Sequence, residues 1–483
     1  MKKNQWIIFT ITALLLPTIA YAMPEPPGGN KSSASISYNG NTTITSNTTE
    51  TNQTYSSTIG GQNALLILGG TSTFDNLMIT KSGDTSDENS DFYGTNAGIL
   101  VYNGATLNIN GGNITTNGVH ANAIFSYGSG KINVQNIDIN TTGNNSGGLM
   151  VTGGGTLTAT NVTVKTTGNS SAAIRSDRGG GTLTVEGGTY ETNGVGSPAI
   201  YSTADITVNN ASLLSTASEG VIVEGANSIT LNQVTLTDTN NTLNGNSETY
   251  KNIFLYQSMS GDADDGNSSF SAKDSTITTN QGDTIFVTNT TATVTLENNV
   301  FINNSGDFLR IQKGKWGNSG FNGGHVTLVM NNQKANGNIV VDSISTLSLS
   351  LMDGSVFTGA IDTNHEAKQI DITLSNDSIL SLSDDTYVDS LINHDSSNSN
   401  IYLNGHSLYV NGISIRANTG SYDENDTTSE VQIEQTQNKN STTKIQSYYV
   451  YLIGGIIVVI IICISAIIML KKKQNNNRKE ANL

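Results

Sequence analysis

The chain contains little of what cross-links or bends a protein. Of its 483 residues, one is cysteine (Cys463) and five are proline, and only Pro198 lies beyond residue 27. A single cysteine excludes an intramolecular disulfide. So few prolines exclude collagen-like and polyproline architectures. A chain nearly free of proline is compatible with long β-sheets, where each proline would remove a ladder hydrogen bond.

Charged residues are also scarce, at 13% of the chain, and acidic residues outnumber basic ones by 39 to 23. Disordered chains typically combine high charge with few β-branched residues. This chain instead carries Ile, Val and Thr at regular intervals, and we expect it to fold. A phosphate polymer is a poor partner for an acidic surface, so the composition predicts no nucleic-acid binding.

The first 22 residues have the pattern of a secretory signal peptide. Lys2 and Lys3 form a basic start, a mostly apolar stretch follows, and the segment ends with small residues at Ala20 and Ala22. This order of features is typical of a cleaved signal. An uncleaved anchor is the alternative interpretation.

Residues 448–470 are predicted to form a transmembrane helix. The segment 450–470 contains no charge, and at about 1.5 Å per residue it spans a hydrocarbon core of about 30 Å. Tyrosines precede it, and Lys471, Lys472 and Lys473 begin a basic tail at 471–483, which we expect to be cytoplasmic. The sequence therefore predicts a single-pass type I protein of the cell membrane with its ectodomain at the cell surface. Residues 23–447 contain 16 basic and 38 acidic residues, a net charge of −22.

The middle of the chain is a repeat. Apolar residues recur with a regular step of about 21–26 residues, and a second alternating column, including Leu107, Ile132, Leu157 and Leu183, follows the first. The first column consists of Leu66, Ile99, Ile124, Leu149, Ile174, Ile200, Val221, Ile253, Ile285, Phe308, Ile339 and Ile361. Three short strands per repeat, with Gly and Asn between them, predict a parallel β-helix. A β-propeller is disfavoured because its blades take about 40–45 residues.

We therefore predict an all-β fold, a right-handed parallel β-helix of about 12 or more rungs at residues 61–415. The right hand follows the preference of parallel connections. Residues 23–60 are a low-complexity linker or an N-terminal cap, and 416–447 form a polar stalk. Four steps of the repeat are longer than the rest, and they predict loops at 82–93, after Leu236, at 256–266 and at 313–323. Loops on a rigid scaffold are where function concentrates.

The loops supply the candidate binding residues. Asp262, Asp264 and Asp265 give one loop the oxygen density that calcium prefers, although the order differs from an EF-hand. A solvated acidic loop is the alternative, and no other cofactor is indicated. Aromatic side chains at Trp316, Phe321 and Tyr256 are candidates for stacking on a sugar ring or a partner, or for packing on the flank of the helix.

No catalytic cluster is predicted. The outward positions beside the second column are neutral hydroxyl and amide residues, whereas paired carboxylates would be needed for glycoside cleavage. Arg175, Asp177 and Arg178 are the nearest basic and acidic neighbours, and Asp177–Arg178 is interpreted as a corner ion pair. The histidines are interpreted as isolated surface residues without zinc spacing. They are His120, His325, His365, His394 and His406.

Several local strings carry a resemblance to a known group. These are YQSMSGDA at 256–263, VTNTTA at 287–292, WGNSG at 316–320 and NIVVDS at 338–343. Together with the repeats they resemble secreted bacterial right-handed β-helix proteins described as adhesin-like, over roughly residues 60–365. The resemblance implies the fold and a surface location. Members of this group are mostly without assigned biochemistry, so it implies no catalytic residues.

The sequence thus favours a membrane-anchored, adhesin-like binding rod for a glycan or a surface protein, and not an enzyme. Two alternatives remain open at this point. One is a polysaccharide lyase or glycoside hydrolase, which would require acidic residues that converge in a groove beside the long loops. The other is a passive structural or spacer protein.

Overall fold

Alternation of apolar and polar residues places every second side chain of a strand inside the coil. The computed structural model describes residues 36–245 and 247–422. Over these residues the chain forms a parallel β-solenoid of about 15 turns, which extends roughly 70 Å at about 4.8 Å per turn. The predicted signal peptide, most of the stalk, the transmembrane segment and the tail lie outside the described residues. The handedness stays a prediction.

The regular structure consists of strands and one short helix, α1 (Asn89–Tyr93). In chain order the strands are β1 Gly40–Ile44, β2 Thr48–Thr51, β3 Thr54–Ser57, β4 Asn63–Ile67, β5 Thr71–Lys81, β6 Ile99–Val101, β7 Thr106–Thr116, β8 Ile124–Tyr127, β9 Lys131–Thr141, β10 Leu149–Thr152, β11 Gly155–Thr166, β12 Ile174–Ser176, β13 Gly181–Thr192, β14 Ile200–Ser202, β15 Asp205–Asn209, β16 Ser212–Ser215, β17 Val221–Glu224, β18 Ser228–Asn232, β19 Thr235–Asp238, β20 Lys251–Tyr256, β21 Asn267–Lys273, β22 Thr276–Thr279, β23 Asp283–Thr288, β24 Thr290–Glu297, β25 Val300–Asn303, β26 Leu309–Ile311, β27 Gly324–Asn331, β28 Lys334–Asn336, β29 Ile339–Val341, β30 Thr346–Met352, β31 Val356–Gly359, β32 Gln369–Leu374, β33 Ile379–Leu382, β34 Thr386–Val388, β35 Ser390–Asn393, β36 Ile401–Tyr402, β37 Leu408–Val410 and β38 Ile413–Ser414.

One strand from each of twelve turns stacks into a parallel sheet, which we call sheet A. Its order is β1-β4-β6-β8-β10-β12-β14-β17-β20-β23-β26-β29. Ile124, Leu149, Ile174 and Ile200 follow one another in register along it and are fully buried. This stack of identical inward positions confirms the first column of the repeat. The remaining strands of each turn stack in the same parallel way.

Two members of the predicted column are one residue out of register. Leu66 pairs with Leu100 and belongs to a cluster outside the coil, and Leu309 rather than Phe308 pairs with Ile285. Both errors fall where two apolar residues are adjacent, so alternation does not determine which of them faces inward. A shift by one residue transfers a side chain to the other face of the sheet.

The bend between the second and third strand of each turn is made by one residue in the left-handed conformation. Asparagine and aspartate tolerate positive φ through local hydrogen bonds, and glycine has no Cβ to clash. Asn76 Nδ2 also donates to Asn52 Oδ1 of the preceding turn at 2.7 Å. The bend column consists of Asn52, Asn76, Gly111, Asn136, Asn161, Gly187, Asn210, Gln233, Asp274, Asn298, Asn332 and Asp353. It explains why the sequence is rich in asparagine.

A buried polar column runs where the third strand ends. Hydroxyls of this column are hydrogen-bonded within the coil, as where Thr141 Oγ1 donates to the Ser146 carbonyl at 2.7 Å, but Thr116 Oγ1 has no hydrogen-bond partner among the described residues. All its members are fully buried: Lys81, Thr116, Thr141, Thr166, Thr192, Ser215, Asp238 and Thr279. The column therefore places two ionisable side chains, Lys81 and Asp238, inside the solenoid.

Strands are present on both sides of the predicted first column, which runs from Leu66 to Ile361. The first strands, β1 to β3, lie within 23–60, where the sequence left a linker or a cap open. After Ile361 the turns continue, and β38 then folds back antiparallel to β37. In residues 36–245 and 247–422 no helix is long and apolar enough to cross a membrane. The predicted span at 448–470 lies outside this part of the chain.

Candidate functional site

Four long loops surround the outer face of sheet A. Loop I (82–98, which contains α1) and loop II (239–250) precede sheet A strands β6 and β20, whereas loop III (257–266) and loop IV (312–323) follow β20 and β26. They correspond to the four long steps of the repeat. Because two enter at one edge of the sheet and two leave at the other, they form the walls of a groove across it.

The groove has a volume of about 310 Å³. Its floor is formed by outward positions of successive strands, where Arg175, Tyr201, Ile222 and Phe254 follow one another in register. Three strand spacings give the floor a length of about 14 Å along the solenoid axis. The walls include Phe92 of loop I, Asn244 and Ser247 of loop II, Asp262 of loop III and Trp316 of loop IV. Every long loop thus contributes to the same groove.

Aromatic side chains cover one end of the groove. The rings of Phe254 and Tyr256 are stacked with centroids 4.5 Å apart, and Phe286 lies 5.7 Å from Phe254. Trp316 lies 6.0 Å from Tyr256. Aromatic faces in a concave site suit ligands with apolar faces and polar edges. The predicted binding residues Trp316 and Tyr256 are therefore brought together.

The third predicted binding residue, Phe321, lies elsewhere. Its side chain is 86% exposed, and together with Met259 and His325 it lines a separate pocket of about 330 Å³. Phe321 belongs to loop IV like Trp316, but the two side chains lie in different pockets.

Three carboxylates line the groove and each contacts a cationic side chain, of which Arg175 also lines the groove. Arg175 Nη2 lies 2.9 Å from Asp177 Oδ2, and Arg178 Nε lies 2.5 Å from Asp262 Oδ1. The predicted side-chain ion pair between Asp177 and Arg178 is wrong, because Arg178 extends away from Asp177 toward loop III. Burial raises the pKa of Asp177, while the adjacent Arg175 opposes that rise.

The third pair joins Lys251 of β20 to Glu219, with Lys251 Nζ 3.2 Å from Glu219 Oε1. Ser247 Oγ donates to the same carboxylate oxygen at 2.6 Å, and Ser218 Oγ donates to Oε2 at 2.8 Å. Burial acts to raise the pKa of Glu219, but Lys251 and these hydroxyls outweigh it and lower that pKa. Both side chains are almost fully buried.

A buried carboxylate beneath the groove anchors loop III. Glu224 accepts a hydrogen bond from the Tyr256 hydroxyl at 3.0 Å, and it also accepts from Tyr201 Oη and from Ser258 Oγ. Burial raises the pKa values of both tyrosines well above their ordinary value, so they remain hydroxyl donors. Three hydroxyl donors replace the water that an exposed carboxylate would bind.

Arg178 and His120 fix loop I against the rest of the site. The guanidinium of Arg178 lies 3.7 Å above the ring of Phe92, so this side chain connects loop I with loop III. His120 is buried, and its Nδ1 lies 2.8 Å from Asp91 Oδ2. The interpretation of His120 as an isolated surface residue is wrong, because α1 folds over it. The hydrogen bond to Asp91 raises the pKa of His120.

The calcium prediction stays a prediction. Both oxygens of Asp262 are engaged, with Arg178 and with Ser260 Oγ at 2.8 Å, whereas Asp264 and Asp265 are exposed. In the described part of the chain, one group combines three metal-type ligands within 4.8 Å of one another: Asp384, Asp385 and His406. Exposed carboxylate clusters of this kind also occur without an ion, so this group defines no site by itself.

Sequence reasoning missed Arg175 as a floor residue, and also Glu219, Glu224 and Lys251. It examined the outward positions beside the second column, which are indeed neutral, and not those beside the first. A usable signal was present. Arg175 follows the inward Ile174 directly, and Glu219 stands two residues before the inward Val221. Arg175 therefore points outward on β12, whereas Glu219 lies in the connection that precedes β17.

The fold and the groove together define a parallel β-solenoid with a loop-walled groove on the outer face of one sheet. A comparison with protein-family models finds no match, and neither the search of curated proteins nor that of solved structures returns one. The fold assignment therefore rests on the strand register of the chain itself.

Proposed function

We propose that the protein is a membrane-anchored binding rod of the cell surface whose groove takes a glycan. The observation that carries the proposal is the convergence of all four long loops on one groove with an aromatic end. Concave sites that combine aromatic side chains with fixed polar groups are a usual form of ligand site, and about half of the residues that line this groove are polar or charged. A β-solenoid supplies the rigid platform, and the floor of about 14 Å along its axis suits a short stretch of an extended chain.

The proposal also covers the location of the protein and its relationship to other proteins. A signal peptide at 1–22 and a membrane span at 448–470 direct the solenoid to the outside of the cell membrane. The right hand of the coil and the relationship to bacterial adhesin-like proteins rest on the local strings in the sequence. Binding of nucleic acid is not proposed, because the predicted ectodomain carries a net charge of −22.

Binding is favoured over cleavage because the groove carboxylates already have partners. A glycosidase needs one carboxyl group that gives up its proton to the leaving oxygen and a second that activates water or attacks. Asp177, Asp262 and Glu219 each contact a cation, and Glu224 accepts from three hydroxyls. The arrangement thus supports a fixed binding surface.

Trp316→Ala tests the proposal directly. We expect the full-length chain to bind one or more members of a panel of oligosaccharides, and the variant to bind at least about tenfold more weakly, since buried aromatic contacts dominate such sites. The matched control is Phe321→Ala, which removes an aromatic side chain from the same loop outside the groove. Isothermal titration measures the affinity, and a reducing-end assay runs in parallel.

Two outcomes would contradict the proposal. If Phe321→Ala weakens binding and Trp316→Ala does not, the ligand occupies the other pocket. If new reducing ends accumulate with the unsubstituted chain, cleavage replaces binding as the function.

A further inference from the structure

The charges of the groove cancel locally. Its lining contains one cation and three carboxylates. Arg175 contacts Asp177, and the other two lining carboxylates, Asp262 and Glu219, contact Arg178 and Lys251, each within 3.2 Å. These contacts fall into three separate pairs along the groove, so no positive or negative patch remains along its floor. This is unexpected in a chain with a net charge of −16, whose average surface is acidic.

Two of the ion pairs are also largely buried. The side chains of Lys251 and Glu219 are each 4% exposed, and that of Asp177 is 6% exposed. Separating a buried ion pair leaves an uncompensated charge in a poorly solvated place, which costs several kcal/mol. A ligand charge therefore cannot recruit one of these cations without breaking the pair.

Arg178 is the most exposed of the three cations. Its side chain is 48% exposed, its Nε donates to Asp262, and one face of the guanidinium covers the ring of Phe92. An incoming carboxylate would compete with Asp262 for the positive charge of this guanidinium. The remaining surface is supplied by Tyr201, Ile222, Phe254 and Trp316, which contact a ligand without charge.

From these contacts we infer that the groove selects uncharged glycans and excludes uronate and amino-sugar chains of the same backbone. The inference rests on the proposed glycan-binding function and adds the substrate class. A uronate would bring carboxylates into a groove whose one lining cation among the described residues, Arg175, already contacts Asp177. An amino sugar would bring ammonium groups to carboxylates that already contact a cation or three hydroxyls. In both cases the ligand charge would lose water without gaining a partner.

The test compares probes that share a sugar backbone and differ in charge. Galactotetraose is paired with tetragalacturonate, and N-acetylchitotetraose is paired with its deacetylated form. We expect the full-length chain to bind at least one neutral member at least tenfold more tightly than its charged counterpart. The measurement is made at about 0.15 M and again at about 0.5 M salt, because high salt screens the field of the whole acidic molecule. If the charged probe is still excluded at high salt, the groove itself causes the exclusion.

One substitution should weaken the discrimination against uronates. Asp262→Asn keeps the size of the side chain and its contact with Ser260 but releases Arg178. We expect the affinity for tetragalacturonate to rise about tenfold relative to the affinity for the neutral probe. Asp264→Asn is the matched control, since it removes the same charge from an exposed position of loop III outside the groove. Thermal melting of both variants confirms that they fold.

The outcomes separate the two levels of the argument. If a charged probe binds as tightly as its neutral counterpart, or Asp264→Asn acts like Asp262→Asn, the selectivity is overturned while glycan binding stands. If neither the neutral nor the charged probes bind, the proposed function is overturned, and the selectivity with it.

Discussion

At the scale of single residues, the solenoid interior holds two ionisable side chains in its buried polar column. Lys81 Nζ donates to the carbonyls of Ile59 and Gly83 at 3.0 and 2.9 Å, and burial lowers its pKa to about 8. Asp238 accepts the Asn240 amide at Oδ1 at 2.7 Å, and burial raises its pKa to about 8. Both groups are therefore near the boundary between charged and neutral forms at ordinary pH.

Asp238 makes the stability depend on pH. In the unfolded chain its carboxyl loses its proton near pH 4, whereas in the folded chain it keeps the proton until about pH 8. The folded state binds more protons between these values, so stability falls as pH rises from 4 to 8. The loss is complete above pH 8 and amounts to at most about 6 kcal/mol.

Asp238→Asn removes this dependence with little change in shape. We expect the variant to melt at a higher temperature than the unsubstituted chain at pH 9 and at the same temperature at pH 4. Thermal unfolding followed by circular dichroism across this range measures the difference, with the exposed Asp264→Asn as the control. A difference in Tm that stays constant from pH 4 to 9 would contradict the assignment.

Whether the role of a single residue could be predicted from the sequence depends on the face of the solenoid that the residue occupies. Trp316 and Tyr256 were identifiable because aromatic side chains are rare in this chain and these two stand at predicted loops. Glu219 and Glu224 were not, because the sequence gives each strand two faces and no indication of which outer face the loops cover. His120 was misjudged because its cover comes from α1, 29 residues earlier in the chain.

At the scale of the structural elements, the tight stacking of turns depends on a column of glycines at the corner before sheet A. A Cβ built on Gly143 would lie 1.9 Å from the Gly118 carbonyl oxygen, and one on Gly168 would lie 1.8 Å from that of Gly143. Gly194 is in the same position relative to Gly168. No side chain fits there, so the corner requires glycine for space.

Gly168→Ala should therefore destabilise the solenoid. The backbone of two adjacent turns must separate to admit the methyl group, and we expect the variant to lose several kcal/mol of unfolding free energy, as overpacking at a rigid site does. The control is Gly245→Ala in loop II, where a Cβ would meet nothing within 4 Å. Urea unfolding gives both values; an equal midpoint for the two variants would show that the corner can relax.

The strands and the long loops were largely predictable from the sequence, but the face on which each loop lies was not. The three-strand repeat follows from alternation, and the long loops follow from the excess length of four steps. The sequence does not specify at which corner each loop leaves. Whether loops I to IV share one face depends on the corner from which each loop leaves. Loop I leaves the corner between Lys81 and Ile99, and loop IV leaves the corner between Ile311 and Gly324. Sequence periodicity alone does not locate these corners.

At the scale of the whole molecule, the solenoid and the predicted anchor have opposite characters. The described turns bury their apolar residues inside the coil, and the large apolar side chains left exposed are scattered. The segment 450–470 has no charge at all. We therefore expect membrane attachment to depend on that segment alone.

Deletion of residues 448–483 tests the anchor. The full-length chain should sediment with the membranes and resist extraction by alkaline carbonate, whereas the truncated chain should appear in the soluble fraction with unchanged thermal stability. Fractionation followed by immunoblotting distinguishes the two. A truncated chain that still resists carbonate would mean that another part of the molecule holds the membrane.

The loops that wall the groove also determine how the rod would respond to a pulling force. Hydrogen bonds between turns run along the axis, so tension would peel turns one at a time from an end. Loop I reaches Thr152 from 60 residues away, Arg178 reaches Asp262 across 84, and Lys315 reaches Gly245 across 70. These hydrogen bonds cross-link the turns from β6 to β26. A partner held in the groove would therefore pull on the mechanically strongest segment, while the terminal turns yield first.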